Sequence, residues 1–244
     1  MKPKIEYIIV DPRTTIHSSS DHHYGNGRRA DNAVPSKNGT EAMMVEHRSK
    51  WFWIFLGDVW EWWEFSKKET TAAWEKITAF IQSRLRVRGN HDEEDKAPDM
   101  IIAEWGEKRI GFVHDPTFKY KGKLKRIAKW LVRNVWRPIE AAVGWRKGLE
   151  LSSALDDEDY MKYDNAALNM LVTYDLDLLL YGHIHPKEAY LIRSTIGNRA
   201  VINTGRFQDG LCEFTALTQN KGRINVAVCR FSGKRLVVKK HYKA

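Results

Sequence analysis

Cysteine is nearly missing from this chain: Cys212 and Cys229 are the only two in 244 residues. Two thiols cannot build a disulfide framework or a thiolate metal site. They read as core or edge-strand residues of a protein in a reducing compartment. Long apolar runs are absent too. None reaches the roughly 18 residues that would cross a bilayer, so no membrane span is expected. The stretch Met1 to Val10 is too short in apolar residues for a secretion signal. These absences predict a cytoplasmic protein, peripheral on a membrane at most. Internal repeats and low-complexity segments are also lacking. What is present, 43% hydrophobic residues in 244, suffices for a real core and fits one α/β domain over 1–244 with an insertion.

The net charge is +9, and it is local. Between Lys119 and Gly148 ten Lys and Arg stand against Glu140 alone, while the rest of the chain holds 30 basic and 30 acidic residues. A single-sign block usually faces an anionic partner. It lies in a helical insertion at about 118–150. On a helical wheel Leu124, Ile127, Ala128, Leu131, Val132, Val135 and Ile139 form one stripe. Arg126, Lys129, Arg133 and Arg137 form the opposite one, with Trp130 among them. A solvated helix packed on the body is the plain reading. A lid on an anionic membrane or lipid head group is the sharper one, and nucleic-acid backbone binding the third. So continuous an apolar face, with Trp136, Pro138 and Trp145, exceeds what phosphate tracking needs and favours lipid. Arg126, Lys129 and Arg133 are then substrate-binding candidates.

The rest alternates strands and helices. Ile5 to Val10 and the oddly polar Thr14 to Ser20 read as strands, and Thr40 to about Arg48 as a weakly capped helix. Asn38-Gly39-Thr40 matches a glycosylation acceptor but reads as a helix-start turn. Trp51 to Leu56 looks like a buried parallel strand, Ser66 to Ser83 like one amphipathic helix, and Leu85 to Arg88 like the next strand. Further strands are predicted at Ile101 to Trp105, Arg109 to Val113 and Asp177 to Tyr181, with a helix from Asp156 or Asp157 to about Tyr174. The β-rich tail from Ala189 onward suggests a second, more antiparallel layer.

Chemistry collects where strands end. Arg88-Gly89-Asn90-His91-Asp92 puts an amide, an imidazole and a carboxylate in one sharp turn. Asp21-His22-His23, Gly57-Asp58, His114 and Gly182-His183-Ile184-His185 add to it. Side chains two apart on an extended segment share a face, so His183 pairs with His185 and Asp21 with His23, while His22 points away. Four imidazoles, two carboxylates and one amide, without thiolate, suit Mn²⁺, Fe, Zn²⁺ or Co²⁺. Two such cations roughly 3.5–4 Å apart can generate a hydroxide and clamp an in-line phosphoryl displacement. Trp60, Trp62 and Trp63 cannot all face one way on a helix, so at least one is expected exposed or at a pocket wall, Trp60 being the candidate for substrate contact.

The ordered set Asp-x-His, Gly-Asp, Gly-Asn-His-Asp, His, Gly-His-x-His resembles the calcineurin-like metallophosphoesterase family, from about Thr14 to Gly205 apart from the insertion. Ile5 to Val10 is more like the family's first strand, but Asp11 is followed by Pro12-Arg13 and no histidine, so Asp21 is kept. The resemblance implies a four-layer α/β/β/α sandwich. It implies one divalent metal, Mn²⁺ first, on Asp21, His23, Asp58 and His185, and a second on Asp58, Asn90, His114 and His183. His91 would be a general acid or a donor to the phosphoryl oxygens, with Asp92 holding its imidazole. Asp115, where the family usually has glycine, adds an outer carboxylate or nothing. Leu56-Gly57-Asp58-Val59-Trp60-Glu61 and Ile202-Asn203-Thr204-Gly205 resemble the UDP-2,3-diacylglucosamine pyrophosphatase-like branch, which usually has Arg where His91 stands. The favoured substrate is a nucleotide-lipid such as UDP-diacylglucosamine or a relative. A nucleic-acid or nucleotide phosphodiesterase and an inert binding scaffold of the same fold are the alternatives.

Overall fold

The computed structural model describes the chain except residues 1, 26, 28–32, 47–50, 64, 93–95, 119–130, 132–134, 136–156, 187, 196, 208–209, 233–234 and 244. The predicted substrate cations Arg126, Lys129 and Arg133 thus lie outside the described residues, as does nearly all of the insertion.

Among the described residues, twelve strands form two six-stranded sheets. The first holds β1 (Ile5–Val10), β5 (Met100–Trp105), β6 (Lys108–Val113), β7 (Leu178–Tyr181), β9 (Ala200–Asn203) and β8 (Tyr190–Arg193), in that spatial order. The second runs β12 (Arg235–Lys243), β11 (Arg223–Ser232), β10 (Glu213–Asn220), β2 (Ile16–Ser19), β3 (Phe52–Leu56) and β4 (Leu85–Val87). The α-helices among the described residues are α1 (Lys37–Glu46), α2 (Lys67–Ala73), α3 (Glu75–Gln82) and α4 (Asp157–Thr173).

Period-two alternation assigns the layers. Ile54 and Leu56 of β3 and Leu178 and Leu180 of β7 point into one cluster between the sheets. Trp53 and Phe55 point the other way, into a cluster with Met43 of α1 and Ile77 and Ile81 of α3. Leu179 and Tyr181 do the same on the far side, against Ala167, Met170 and Leu171 of α4. The result is helix, sheet, sheet, helix, the four-layer α/β/β/α arrangement.

Three local expectations are corrected. The tail makes no separate layer: β8 and β9 join the first sheet, and β10 pairs antiparallel with β2 in the second. Ser66 to Ser83 is two helices, broken at Trp74 (φ −124°, ψ 42°), whose ring packs 4.9 Å from Tyr24. Ser66 and Glu69 close a capping box on α2. Thr40 lies inside α1, its hydroxyl 3.1 Å from Tyr24 OH, and Gly39 beside it is small enough for Cys212 to pack on.

The polar β2 is an inner strand, flanked by β10 and β3, while the apolar β1 is an edge strand with Tyr7 and Ile9 exposed. Polarity is tolerated in β2 because its hydroxyls are bonded. Ser18 Oγ donates to Ile54 O at 3.0 Å, and Ser19 Oγ lies 2.9 Å from His22 Nε2. No helix among the described residues is long and apolar enough to cross a membrane.

Candidate metal centre

All seven candidate ligands follow the carboxyl ends of parallel-paired strands. Asp21 and His23 follow β2, Asp58 follows β3 and Asn90 follows β4. His114 follows β6, and His183 and His185 follow β7, so both sheets contribute. Loops at that end of an α/β sheet are where ligands bind.

The side chains do not converge by strand alternation as the sequence suggested. Asp21 (φ 56°), His23 (50°), Asp58 (46°), His183 (77°) and His185 (38°) all sit in the left-handed region. A non-glycine residue there costs about 1–3 kcal/mol and persists only when its surroundings fix it. Main-chain bonds between the loops do so here. His23 N–H donates to Asp58 O at 2.9 Å, Tyr24 N–H to Val59 O at 2.9 Å and Gly182 N–H to His114 O at 3.1 Å. Asp58 Oδ1 accepts His91 N–H at 2.7 Å, and Asp21 Oδ2 accepts His183 N–H at 3.1 Å.

The loops are so close that glycine is obligatory at two turns. A Cβ on Gly57 would lie 2.7 Å from Gly89 N, and one on Gly89 would overlap the Asp58 carboxylate. Gly89→Ala is therefore expected to cost roughly 1–3 kcal/mol by overpacking and to displace Asp58. Urea unfolding and ion-binding titration of the same variant check both effects.

The donor atoms face one another. His185 Nε2 is 2.9 Å from Asp21 Oδ1 and 3.4 Å from His23 Nε2. His23 Nε2 is 3.9 Å from both Asp21 Oδ1 and Asp58 Oδ2. In the second group His114 Nε2 is 3.1 Å from Asp58 Oδ2, 3.1 Å from Asn90 Oδ1 and 3.3 Å from His183 Nδ1. Asp58 therefore belongs to both groups. Ligand atoms of Asp21, His23 and His185, and of Asp58, His114 and His183, lie within 4.8 Å of one another.

The far nitrogens fix the tautomers. His114 Nδ1 donates to Leu56 O at 2.7 Å, and His23 Nδ1 to Glu61 Oε2 at 2.7 Å. Each Nε2 is then a lone pair aimed at carboxylate and amide oxygens. Lone pairs facing lone pairs repel unless a cation stands among them. A proton is one such cation: burial pushes the His114 pKa down, but Asp58 outweighs it and raises it to about 10. Burial and the His114 charge drive His183 down to about 4. The buried field that would hold a proton on His114 is the field a divalent ion satisfies, and the N/O donor set fits one in each group.

His91 stands at the rim with its side chain 22% exposed. Its Nδ1 donates to Glu61 Oε1 at 2.7 Å. Burial lowers the His91 pKa, yet Glu61 and Asp58 prevail and bring it to about 9. Asp92, expected to hold His91, does something else. Its oxygens accept Gly89 N–H at 2.5 Å and Val59 N–H at 2.9 Å, which staples the turn. The orienting carboxylate is Glu61, which bridges His91 and His23. Burial would raise its pKa, but His91 and His23 hold it at about 2. The sequence signal was available: Glu61 stands three residues after Asp58. Asp115 Oδ1 accepts Thr117 N–H and Oγ1–H, both at 2.7 Å, so it closes a turn after His114.

Trp60 is also corrected. It is 4% exposed and stacks on Trp62 inside the helix-side core. Trp63 reaches the site instead. It stacks 5.1 Å from His91 and donates Nε1–H to Asn90 O at 2.6 Å. His22 points away from the donors, between Ser19 Oγ, Tyr24 OH at 3.1 Å and a stacked Phe207. Burial takes its pKa to about 3, so it is a neutral core residue.

No protein-family profile matches the sequence, and no curated protein does. Solved structures do. A dimetal phosphatase from Danio rerio is similar at TM-score 0.53 and 10% identity, over 95% of this chain and 98% of its own. Vps29 from Chaetomium thermophilum is similar at TM-score 0.52 and 15% identity, over 95% and 93%. Likeness at such low identity is likeness of backbone. Two stacked sheets between helices, with these structures as neighbours, give the chain the calcineurin-like metallophosphoesterase fold.

Proposed function

We propose that this chain is a dinuclear metal-dependent phosphoesterase that hydrolyses a phosphodiester or pyrophosphate. The observation that carries the reading is the pair of N/O donor groups, Asp21, His23 and His185 and Asp58, His114 and His183, with Asp58 Oδ2 3.9 Å from His23 Nε2 and 3.1 Å from His114 Nε2 and the imidazole of His91 beside them. Asp21, His23, Asp58 and His185 would hold one ion, and Asp58, Asn90, His114 and His183 the other. Mn²⁺ is the favoured metal, with Fe, Zn²⁺ and Co²⁺ compatible with the same donors. Two divalent ions bound there supply Lewis acidity and neutralise charge on the phosphoryl group.

The chain's own residues do the rest. Asp58, fixed by His91 N–H, keeps the two groups in register. Glu61 keeps His91 protonated and aimed, so that its remaining N–H can donate to the leaving oxygen. Trp63 walls that side. The basic, apolar-striped composition of 119–148 supports a nucleotide-lipid substrate such as UDP-diacylglucosamine, and an anionic membrane surface as the place where it is met. A nucleic-acid or nucleotide phosphodiesterase is the second reading, supported by the same basic residues.

The test is an activity panel on the full chain: bis-p-nitrophenyl phosphate, a UDP-lipid and single-stranded DNA, each with Mn²⁺ and with chelator. Turnover of the nitrophenyl ester is expected with Mn²⁺, loss on chelation and recovery on adding Mn²⁺ back. The UDP-lipid is expected to be the best substrate, with detergent or liposomes changing its rate. Preference for DNA, weakening steeply with salt, selects the second reading. Two bound ions with no turnover of any substrate selects the scaffold.

A further inference from the structure

We infer that Tyr163 is a positioning residue for the second ion site, acting from α4 by fixing the ring of His183; this rests on the dinuclear reading above. The Tyr163 hydroxyl lies 3.1 Å from His183 Nε2, with ring centroids 5.0 Å apart and planes at 58°. The other ring nitrogen, Nδ1, faces His114 Nε2 at 3.3 Å. An imidazole that binds a cation through one nitrogen carries its proton on the other, and a mostly buried N–H needs an acceptor. Tyr163 is that acceptor. The alternative tautomer would turn an N–H toward His114 and remove a donor lone pair from the ion. The main-chain bond from His183 N–H to Asp21 Oδ2 fixes the backbone, but leaves the ring free to rotate.

The placement of Tyr163 is itself braced. Asp164, the next residue on α4, accepts hydrogen bonds from the hydroxyls of Tyr181 and, at 2.9 Å, Tyr190. Tyr181 is the last residue of β7, two before His183. The helix is thus clasped to the strand that carries the ligand, and the distance from Tyr163 to His183 is set by that clasp. Three imidazoles of the centre now have a defined partner on the far nitrogen. Glu61 holds His23, the Leu56 carbonyl holds His114 and Tyr163 holds His183.

Mn²⁺ binding to the metal-free full chain, followed by calorimetry, tests the assignment in wild type, Tyr163→Phe and Tyr163→Ala. Wild type is expected to take two ions. Both variants are expected to hold one ion as wild type does and the other about 10–100-fold more weakly, with unchanged thermal melting of the metal-free Phe variant. A purely packing role would leave Tyr163→Phe like wild type and weaken only Tyr163→Ala, which would overturn the proposal. So would equal weakening of both ions. A wild type that binds no ions sinks the metal centre and this role together. Selective weakening in a chain that hydrolyses nothing in the panel keeps this role and removes only the phosphoesterase.

Discussion

Replacing Asp58 with asparagine is expected to cut kcat/KM on bis-p-nitrophenyl phosphate by about 10³ or more at saturating Mn²⁺, a loss of several kcal/mol of charge stabilisation. Asparagine has nearly the same shape, so the fold should survive. What changes is charge and donor pattern. Asp58 Oδ1 accepts His91 N–H at 2.7 Å, while Oδ2 lies 3.1 Å from His114 Nε2 and 3.9 Å from His23 Nε2. An amide can present an oxygen to only one of these sides. The other side would meet an NH₂ group, which repels both a cation and a backbone N–H. Calorimetry should then find fewer than two ions, and kinetics should show the loss mainly in kcat. Activity within tenfold of wild type would mean that Asp58 does not join the two sites.

His91→Ala should separate acid chemistry from ion binding. The expected loss is roughly 10²–10⁴ in kcat, with two ions still bound, because the His91 side chain lies outside both proposed ligand sets. General acid help matters most for a poor leaving group, so the loss should be larger for an alkyl phosphodiester than for the nitrophenyl ester. The wild-type pH profile gives the sign. A group that must be protonated to donate is active below its pKa and fails above it. With Glu61 beside His91 raising its pKa above the ordinary histidine range, activity should hold through neutral pH and fall at alkaline pH. Equal loss for both leaving groups, or loss of an ion, would recast His91 as a structural or ligating residue.

The four-layer arrangement was implied by the family resemblance, and only the inner place of two strands could be read from their continuous apolar runs. Trp51 to Leu56 and Asp177 to Tyr181 are runs that bury both faces, and a strand buried on both faces belongs between layers. Less legible were elements whose local signal conflicts with their place. β2 is polar yet internal, because its hydroxyls bond to neighbouring backbone and side chains, while β1 is apolar yet lies at an edge. Such reversals depend on which strands become neighbours, and β10, which pairs with β2, lies nearly two hundred residues further along. Trp63, not the expected Trp60, reaches the site for a similar reason. A local sequence run does not say which indole the helix layer will take.

By itself, the sequence determined the set of candidate ligand types, their order and their attachment to strand ends. Those are properties of short segments, and residue chemistry does not depend on distant partners. Only the tertiary structure decided how the donors meet. It placed five of the seven in left-handed turns held by bonds between loops, and set Glu61 on His91 and His23. It made Asp92 a staple and brought a tyrosine from α4 to His183. Each of these is a contact between residues far apart or a backbone angle enforced by neighbours. The physical reason is that a hydrogen bond needs position and direction together, and only the packed sheets supply both.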